Sequence, residues 1–286
     1  MEELIIRIGR LLGQTIHTCS PVAGGYTPAT RLRCHTAAGS VFAKAGSTPL
    51  TAGWLRREIH VYQQVTGPFM PRLLAWEDHE TEPLLILEDL TAHPWPPPWD
   101  ERRVQRVLEQ VDALHATPVP LEPFAEIHGE ITPGWEMVAA EPEAFLSLGL
   151  VTAEWLEAAL PDLLEYERRC ETAGDSLTHW DLRSDNICLT DQGVLFVDWN
   201  NACRSNPRLD LGFWLPSLTF EGGPLPERIS PDAPEIAAFV SGYFAARAGL
   251  PQIPDAPRVR QVQRRQLETA LPWAARALGL PAPGQE

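Results

Sequence analysis

The stretch His179 to Asn201, H-W-D-L-R-S-D-N-I-C-L-T-D-Q-G-V-L-F-V-D-W-N-N, constrains this chain more than any other. Ile187-Cys188-Leu189 and Val194-Leu195-Phe196-Val197 are short apolar runs, and Thr190-Asp191-Gln192-Gly193 between them supplies turn residues and a glycine able to take positive φ. The pattern predicts a β-hairpin. A hairpin holds its open ends about 5 Å apart across the strand pair, so Asn186 and Asp198 come side by side as hard oxygen ligands suited to Mg²⁺. Asp181 lies on the loop entering the hairpin, placed to face the same ion-bound group. A hydroxyl-proton acceptor with two metal ligands is what phosphoryl transfer from ATP requires.

The order H-x-D-x-x-x-x-N, followed by a strand ending in Asp, resembles the catalytic segment of the aminoglycoside phosphotransferase-like family. These are small-molecule phosphotransferases of the kinase-like fold. The resemblance implies an α+β, two-lobed architecture with an antiparallel-sheet N-lobe and a mostly helical C-lobe. It also implies catalytic roles for Asp181 and His179, with His179 orienting the loop, and Mg²⁺ ligation by Asn186 and Asp198. Trp180 departs from the family, most members of which have glycine between the His and the Asp. Asp198-Trp199-Asn200 lacks the Phe-Gly of a protein-kinase switch.

The N-terminal third fits the same order. Residues 1–14 have helical spacing, and strands are expected over Thr15–Val22, Thr30–Thr36 and Val41–Ala45. Gly24 and Gly25 form a turn that the resemblance makes a phosphate-covering loop. Lys44 is the only lysine among the 23 basic residues. A lysine binds phosphate as a compact point charge, where arginine presents a wide planar fork. Thr48-Pro49 is a helix start, and Glu58 lies within the helix predicted over Leu50–Val65. By resemblance Glu58 pairs with Lys44; Arg56 and Arg57 offer it the alternative of a solvated charged face. A further hairpin over 71–88 ends in Glu88-Asp89-Leu90, and a proline cluster follows. By resemblance Glu88 and Leu90 belong to the hinge beside the adenine, which sets a nucleotide-binding lobe at 1–90 and a catalytic and substrate-binding lobe at 91–286.

Beyond the hinge, helices are expected from Asp100 to about His115, over Thr152–Cys170 with Pro161 as a kink or restart, from Asp210, and over 233–249 and 257–279. Asp210 takes a bracing role by resemblance, and Arg183 is left between bracing Asp210 and approaching a phosphate.

Composition narrows the partners. A formal net charge of −15 opposes nucleic-acid binding, which needs basic patches. No apolar run reaches the ~18 residues of a membrane span, and the N-terminus has no basic signal-peptide region. Five scattered cysteines without C-x-x-C read as reduced thiols, giving an expected cytoplasmic location and no disulfide frame. Residues 121–167 hold eleven carboxylates and no lysine or arginine. They would be either helix surfaces or an acidic cleft that concentrates a cationic acceptor, such as an aminoglycoside-like antibiotic or amino-alcohol metabolite. The expected activity is ATP- and Mg²⁺-dependent phosphorylation of a small hydroxyl-bearing molecule. The alternative is a nucleotide-binding pseudoenzyme with a regulatory role, against which Lys44, Asp181, Asn186 and Asp198 are all present.

Overall fold

The computed structural model describes residues 1–23, 28–79, 81–129, 133–254 and 256–284. Strands β1 (Thr18–Pro21), β2 (Thr30–Thr36), β3 (Gly39–Ala45), β4 (Leu73–Glu77) and β5 (Leu84–Glu88) form an antiparallel sheet in the order β1-β2-β3-β5-β4. Side chains on a strand alternate between faces. Val41, Ala43 and Ala45 of β3 therefore pack with Leu84 and Ile86 of β5 against Leu4 and Ile8 of helix α1 (Glu2–Leu12). The opposite face takes Lys44, together with Leu85 and Leu87, which pack with Leu55, Ile59 and Tyr62 of helix α2 (Pro49–Gln64). Thr48 caps α2 by accepting from the Thr51 N–H, with Pro49 at the first helical position.

One expectation about the cysteines fails. Cys19 and Cys34 are direct partners in the β1–β2 register and are joined as a disulfide. Position across two antiparallel strands, invisible in their separation of 15 residues, brings the sulfurs together. Cys170, Cys188 and Cys203 are free thiols.

The rest of the chain is mostly helical. Asp100 caps α3 (Glu101–His115), which buries Val104, Val107, Val111 and Leu114. Three short helices follow, α4 (Phe124–His128), α5 (Gly134–Ala140) and α6 (Glu143–Leu146), each preceded by a proline. Helix α7 (Ala153–Arg169) runs unbroken through Pro161. Two small antiparallel pairs come next: β6 (Ser176–Thr178) with β9 (Cys203–Ser205), and β7 (Ile187–Leu189) with β8 (Val194–Phe196). Helices α8 (Arg208–Phe220), α9 (Pro226–Ile229), α10 (Pro234–Ala248) and α11 (Val259–Leu278) complete the chain.

Helix α10 is buried on nearly all sides. A Cβ on its Gly242 would lie 2.2 Å from Glu167 Oε1, and one on Gly134 would lie 2.0 Å from the Gly242 carbonyl oxygen, so the two glycines let α5 and α10 touch backbone to backbone. Glu167 accepts the Gly134 and Trp135 N–H groups at 2.8 Å each, satisfying the start of α5, and burial pushes its carboxyl up to about 8. Among the described residues, no helix is long and apolar enough to cross a membrane.

Candidate active site

The hairpin expected from the sequence forms, with Ile187 opposite Phe196. The Val197 N–H donates to the Asn186 carbonyl at 3.0 Å, which extends the pairing to the residue before Asp198. A 3₁₀ turn over Ser184–Asn186 curls Asn186 back toward the entering loop. Its Nδ2 donates to the Asp181 carbonyl at 2.8 Å and to Asp181 Oδ2 at 3.1 Å. The amide nitrogen is thereby committed, and the amide oxygen is left as an acceptor.

Asp198 has φ 67, in the left-handed region that aspartate tolerates better than most residues. Lys44 Nζ donates to Glu58 Oε2 at 2.7 Å and also to Asp198 Oδ1. Glu58 is buried and its charge partner is Lys44, while Arg56 and Arg57 turn away to Asp78 and Glu122. Burial would push the Asp198 carboxyl up, but the adjacent Lys44 ammonium outweighs it and holds the group at about 2. Burial lifts Asp181 to about 6 against the pull of Arg183, whose Nε lies 2.9 Å from Asp181 Oδ1. Arg183 thus braces Asp181, not Asp210.

Asp210 is fully buried and works as a clamp. It accepts from His179 N at 3.0 and 2.9 Å and from Trp180 N at 2.7 Å, and His115 Nε2 lies 3.0 Å away. His179 sits 3.0 Å from the Val197 carbonyl through Nε2, and its Nδ1 accepts the Asp181 N–H at 3.3 Å. That pair of contacts requires the neutral Nε2–H tautomer. Burial drives the imidazole down to about 4, against the opposing field of Asp210. His179 is therefore built to tie the loop to the hairpin.

Trp180 takes φ 65 without being glycine. The indole stacks on Phe124 at 4.4 Å and donates to Ser205 Oγ at 2.7 Å. These contacts and the Asp210 clamp hold it in a conformation that costs an ordinary residue roughly 1–2 kcal/mol.

Two cavities open from this cluster. One, of about 570 Å³, is lined by Leu87, Glu88, Leu90 and Trp95–Pro97 on the hinge side and by Asn186 below. There the Glu88 carboxylate is engaged by the Arg72 N–H at 2.9 Å. The other, of about 580 Å³, is lined by Asp181, Trp180, Phe213, Tyr243 and Arg247. Arg31, Lys44, Arg183 and Asp198 belong to both. Gly24 and Gly25 lie outside the described residues.

The second cavity holds residues that sequence reasoning missed. Phe213, Tyr243 and Arg247 match no motif; the available signal was a tyrosine and an arginine four residues apart in an otherwise apolar helix. None of the described carboxylates of 121–167 lines this cavity; Glu130 lies outside the described residues. Glu136 pairs with Arg168 and Glu165 with Arg169, as helix-surface charges do, and Glu122, in the loop before α4, pairs with Arg57.

Among the described residues no group of three His, Cys, Asp or Glu side chains could hold a metal. The Asn186 amide oxygen and the Asp198 carboxylate are instead a sparse, hard-oxygen pair, the kind of site that suits a Mg²⁺ completed by phosphate and water.

An antiparallel sheet lobe over a helical lobe, with the lysine strand facing the hairpin loop, makes this a kinase-like fold. Solved structures agree. The spectinomycin phosphotransferase APH(9)-Ia, in complex with ADP and spectinomycin, matches at TM-score 0.64 and 15% identity, covering 97% of this chain and 98% of that one. A thermostable mutant of the aminoglycoside phosphotransferase APH(4)-Ia, bound to ADP and hygromycin B, matches at TM-score 0.62 and 15% identity, covering 96% and 97%. The choline kinase LicA from Streptococcus pneumoniae matches at TM-score 0.58 and 14% identity, covering 97% and 98%. No match was found among curated protein sequences. Residues 18–262 match the model of the phosphotransferase enzyme family. The chain belongs to that family.

Proposed function

We propose that this protein transfers the γ-phosphoryl group of ATP, with Mg²⁺, to a hydroxyl of a small molecule. One observation carries the reading: two cavities of similar size share a charged floor, with Asn186 lining only the hinge-side cavity and Asp181 only the other. A nucleotide site and an acceptor site that meet at the transferring group need this arrangement. In this reading residues 1–90 are the nucleotide-binding lobe, with the hinge at Glu88 and Leu90, and residues 91–286 the catalytic and substrate-binding lobe; both lobes contribute lining to both cavities.

Lys44, held by Glu58, supplies a fixed positive charge at the floor, where phosphate oxygens would lie. Asn186 and Asp198 would hold Mg²⁺, which when bound neutralises charge developing on the phosphates. Asp181 lies on the acceptor side, ionised at neutral pH with its carboxyl at about 6. It receives the hydroxyl proton or orients the hydroxyl for attack. Arg183 fixes its carboxylate, and His179, neutral, fixes the loop.

The test is ADP release from ATP and Mg²⁺ across a library of hydroxyl compounds, with Asp181→Asn as the blank. Acceptor-dependent release by the wild type alone supports the reading. Release equal in both proteins, or no release with any acceptor, counts against it.

A further inference from the structure

The acceptor-side cavity is the wrong shape in charge for a polycation. Among the described residues its two carboxylates, Asp181 and Asp198, are already matched by Arg183 and Lys44. Arg247 belongs to this cavity alone. Its guanidinium lies 4.1 Å from the centroid of the Tyr243 ring and donates to the Tyr243 carbonyl at 3.0 Å. No carboxylate pairs with it among the described residues. The neighbouring Arg260 adds a second positive field, and its own hydrogen bonds go to neutral acceptors, the Pro251 carbonyl and Gln263 Oε1. Gln266, 2% exposed, lines the same cavity, and its Oε1 has no hydrogen-bond partner. A buried amide oxygen without a partner is an acceptor, so it marks where a ligand's hydroxyl or N–H is due and is no seat for the oxyanion.

Between Asp181 and Arg247 the wall is aromatic. Trp180 lies 5.2 Å from Phe213, and Phe213 meets Tyr243 edge-on at 5.2 Å. Tyr243 feels both ends: after burial, Arg247 and Asp181 act on its hydroxyl in opposite directions. Leu50 and Trp54, also in the lining, are 42% and 38% exposed. Apolar rings with a few fixed polar groups are the usual lining of a site for a flat apolar ligand.

We infer that the acceptor is a hydroxyl compound with a flat apolar body and an oxyanion, carboxylate or phosphate, received by Arg247, and that it is not a polycation. The inference rests on the phosphotransferase reading for which cavity takes the acceptor. A guanidinium presents parallel N–H donors that match an oxyanion in a bidentate fork, and Arg247 has no such partner among the described residues. An ammonium brought to the same place would be desolvated against a like charge.

The experiment measures equilibrium binding to the full chain loaded with Mg-ADP. The probes are para-(hydroxymethyl)benzoate, its neutral amide, the cationic para-(aminomethyl)benzyl alcohol and para-(hydroxymethyl)benzylphosphonate. The expected result is that benzoate or phosphonate binds roughly tenfold or more tightly than the amide and the amine, and comparing the two anions tells carboxylate from phosphate. Arg247→Met should erase the preference, while Arg247→Lys, which keeps the charge but not the fork, should weaken it and gives the answer if the Met variant does not fold. Tightest binding by the amine, an unchanged preference in Arg247→Met, or no binding by any probe at millimolar concentration overturns the inference. Phosphorus NMR with ATP separates the two proposals. Transfer to a hydroxyl of a polycationic alcohol but to no anionic alcohol would uphold the reaction and sink the acceptor class. Anion-selective binding with no transfer to any acceptor would do the reverse.

Discussion

Asn186 donates its amide N–H to Asp181 Oδ2 at 3.1 Å, although the two residues line different cavities. The bond orients the Asn186 oxygen toward the nucleotide side and fixes the Asp181 carboxylate toward the acceptor side. Arg183 holds that carboxylate from the other direction. The proposed metal ligand and the proposed proton acceptor are thus set by one hydrogen-bonded unit, and a change in either displaces both.

Asp181→Asn should lower turnover by roughly 10²–10⁴, the range for a lost general base, with ADP binding retained by titration. Because the wild-type carboxyl sits at about 6 and must be ionised to accept a proton, kcat/KM should climb with pH through about 6 and level above it. The residual activity of the variant should lack that step. A wild-type profile flat from acid to neutral pH would remove Asp181 from proton transfer.

Lys44→Arg should not behave as a conservative change. The ammonium is wedged between Glu58 and Asp198 under a packed helix. A guanidinium is larger, and forcing extra volume into a packed site costs on the order of 1–3 kcal/mol. Urea unfolding and ADP titration should both show the loss, beside the exposed control Arg102→Lys. Wild-type values for Lys44→Arg would mean that the pocket has no need of a slim cation.

Sequence legibility follows locality. The hairpin, the Asn186–Asp198 juxtaposition and the Lys44 strand are set within a few residues and by alternation, so they could be read in order. The Cys19–Cys34 bond depends on strand register, which two unremarkable cysteines do not announce. Helices α4 to α6 were missed because four to seven residues cannot show a periodic stripe. Arg183 could not be assigned because its partner is decided by the loop's path, and Tyr243 and Arg247 reach the cavity only through the packing of α10.

Trp180→Gly sets two effects against each other. Glycine relieves the left-handed backbone, worth roughly 1–2 kcal/mol, but emptying the space between Phe124 and Phe213 costs roughly 3–5 kcal/mol. The cavity wins, with a net loss of about 1–4 kcal/mol. Trp180→Ala keeps the strain and loses the ring, so it should be less stable than Trp180→Gly, an inversion of the usual order. Denaturant midpoints for the three proteins check it; Ala above Gly would show that the backbone relaxes once the indole is gone.

His179 should make stability acid-sensitive. Unfolded, an imidazole takes its proton near 6.5, whereas in the fold burial delays it to about 4. The unfolded state therefore binds more protons between those values, so the His179 contribution is complete above about 6.5 and is lost as pH falls through about 4. The loss is roughly 3 kcal/mol. Unfolding of wild type and His179→Gln from pH 7 to pH 4 isolates it, because the carboxylates common to both cancel. A stability difference independent of pH would mean that the folded imidazole titrates normally.

The shared floor also governs traffic. Arg31, Lys44, Arg183 and Asp198, three cations and one carboxylate, belong to both cavities. Each cavity otherwise has its own lining, so the proposed reaction calls for either substrate to enter while the other is absent and for transfer in a ternary complex. A newly phosphorylated acceptor and ADP then pull on one set of cations. Each product loosens the hold on the other, and accumulated phosphorylated product should compete with nucleotide while leaving its hinge contacts vacant.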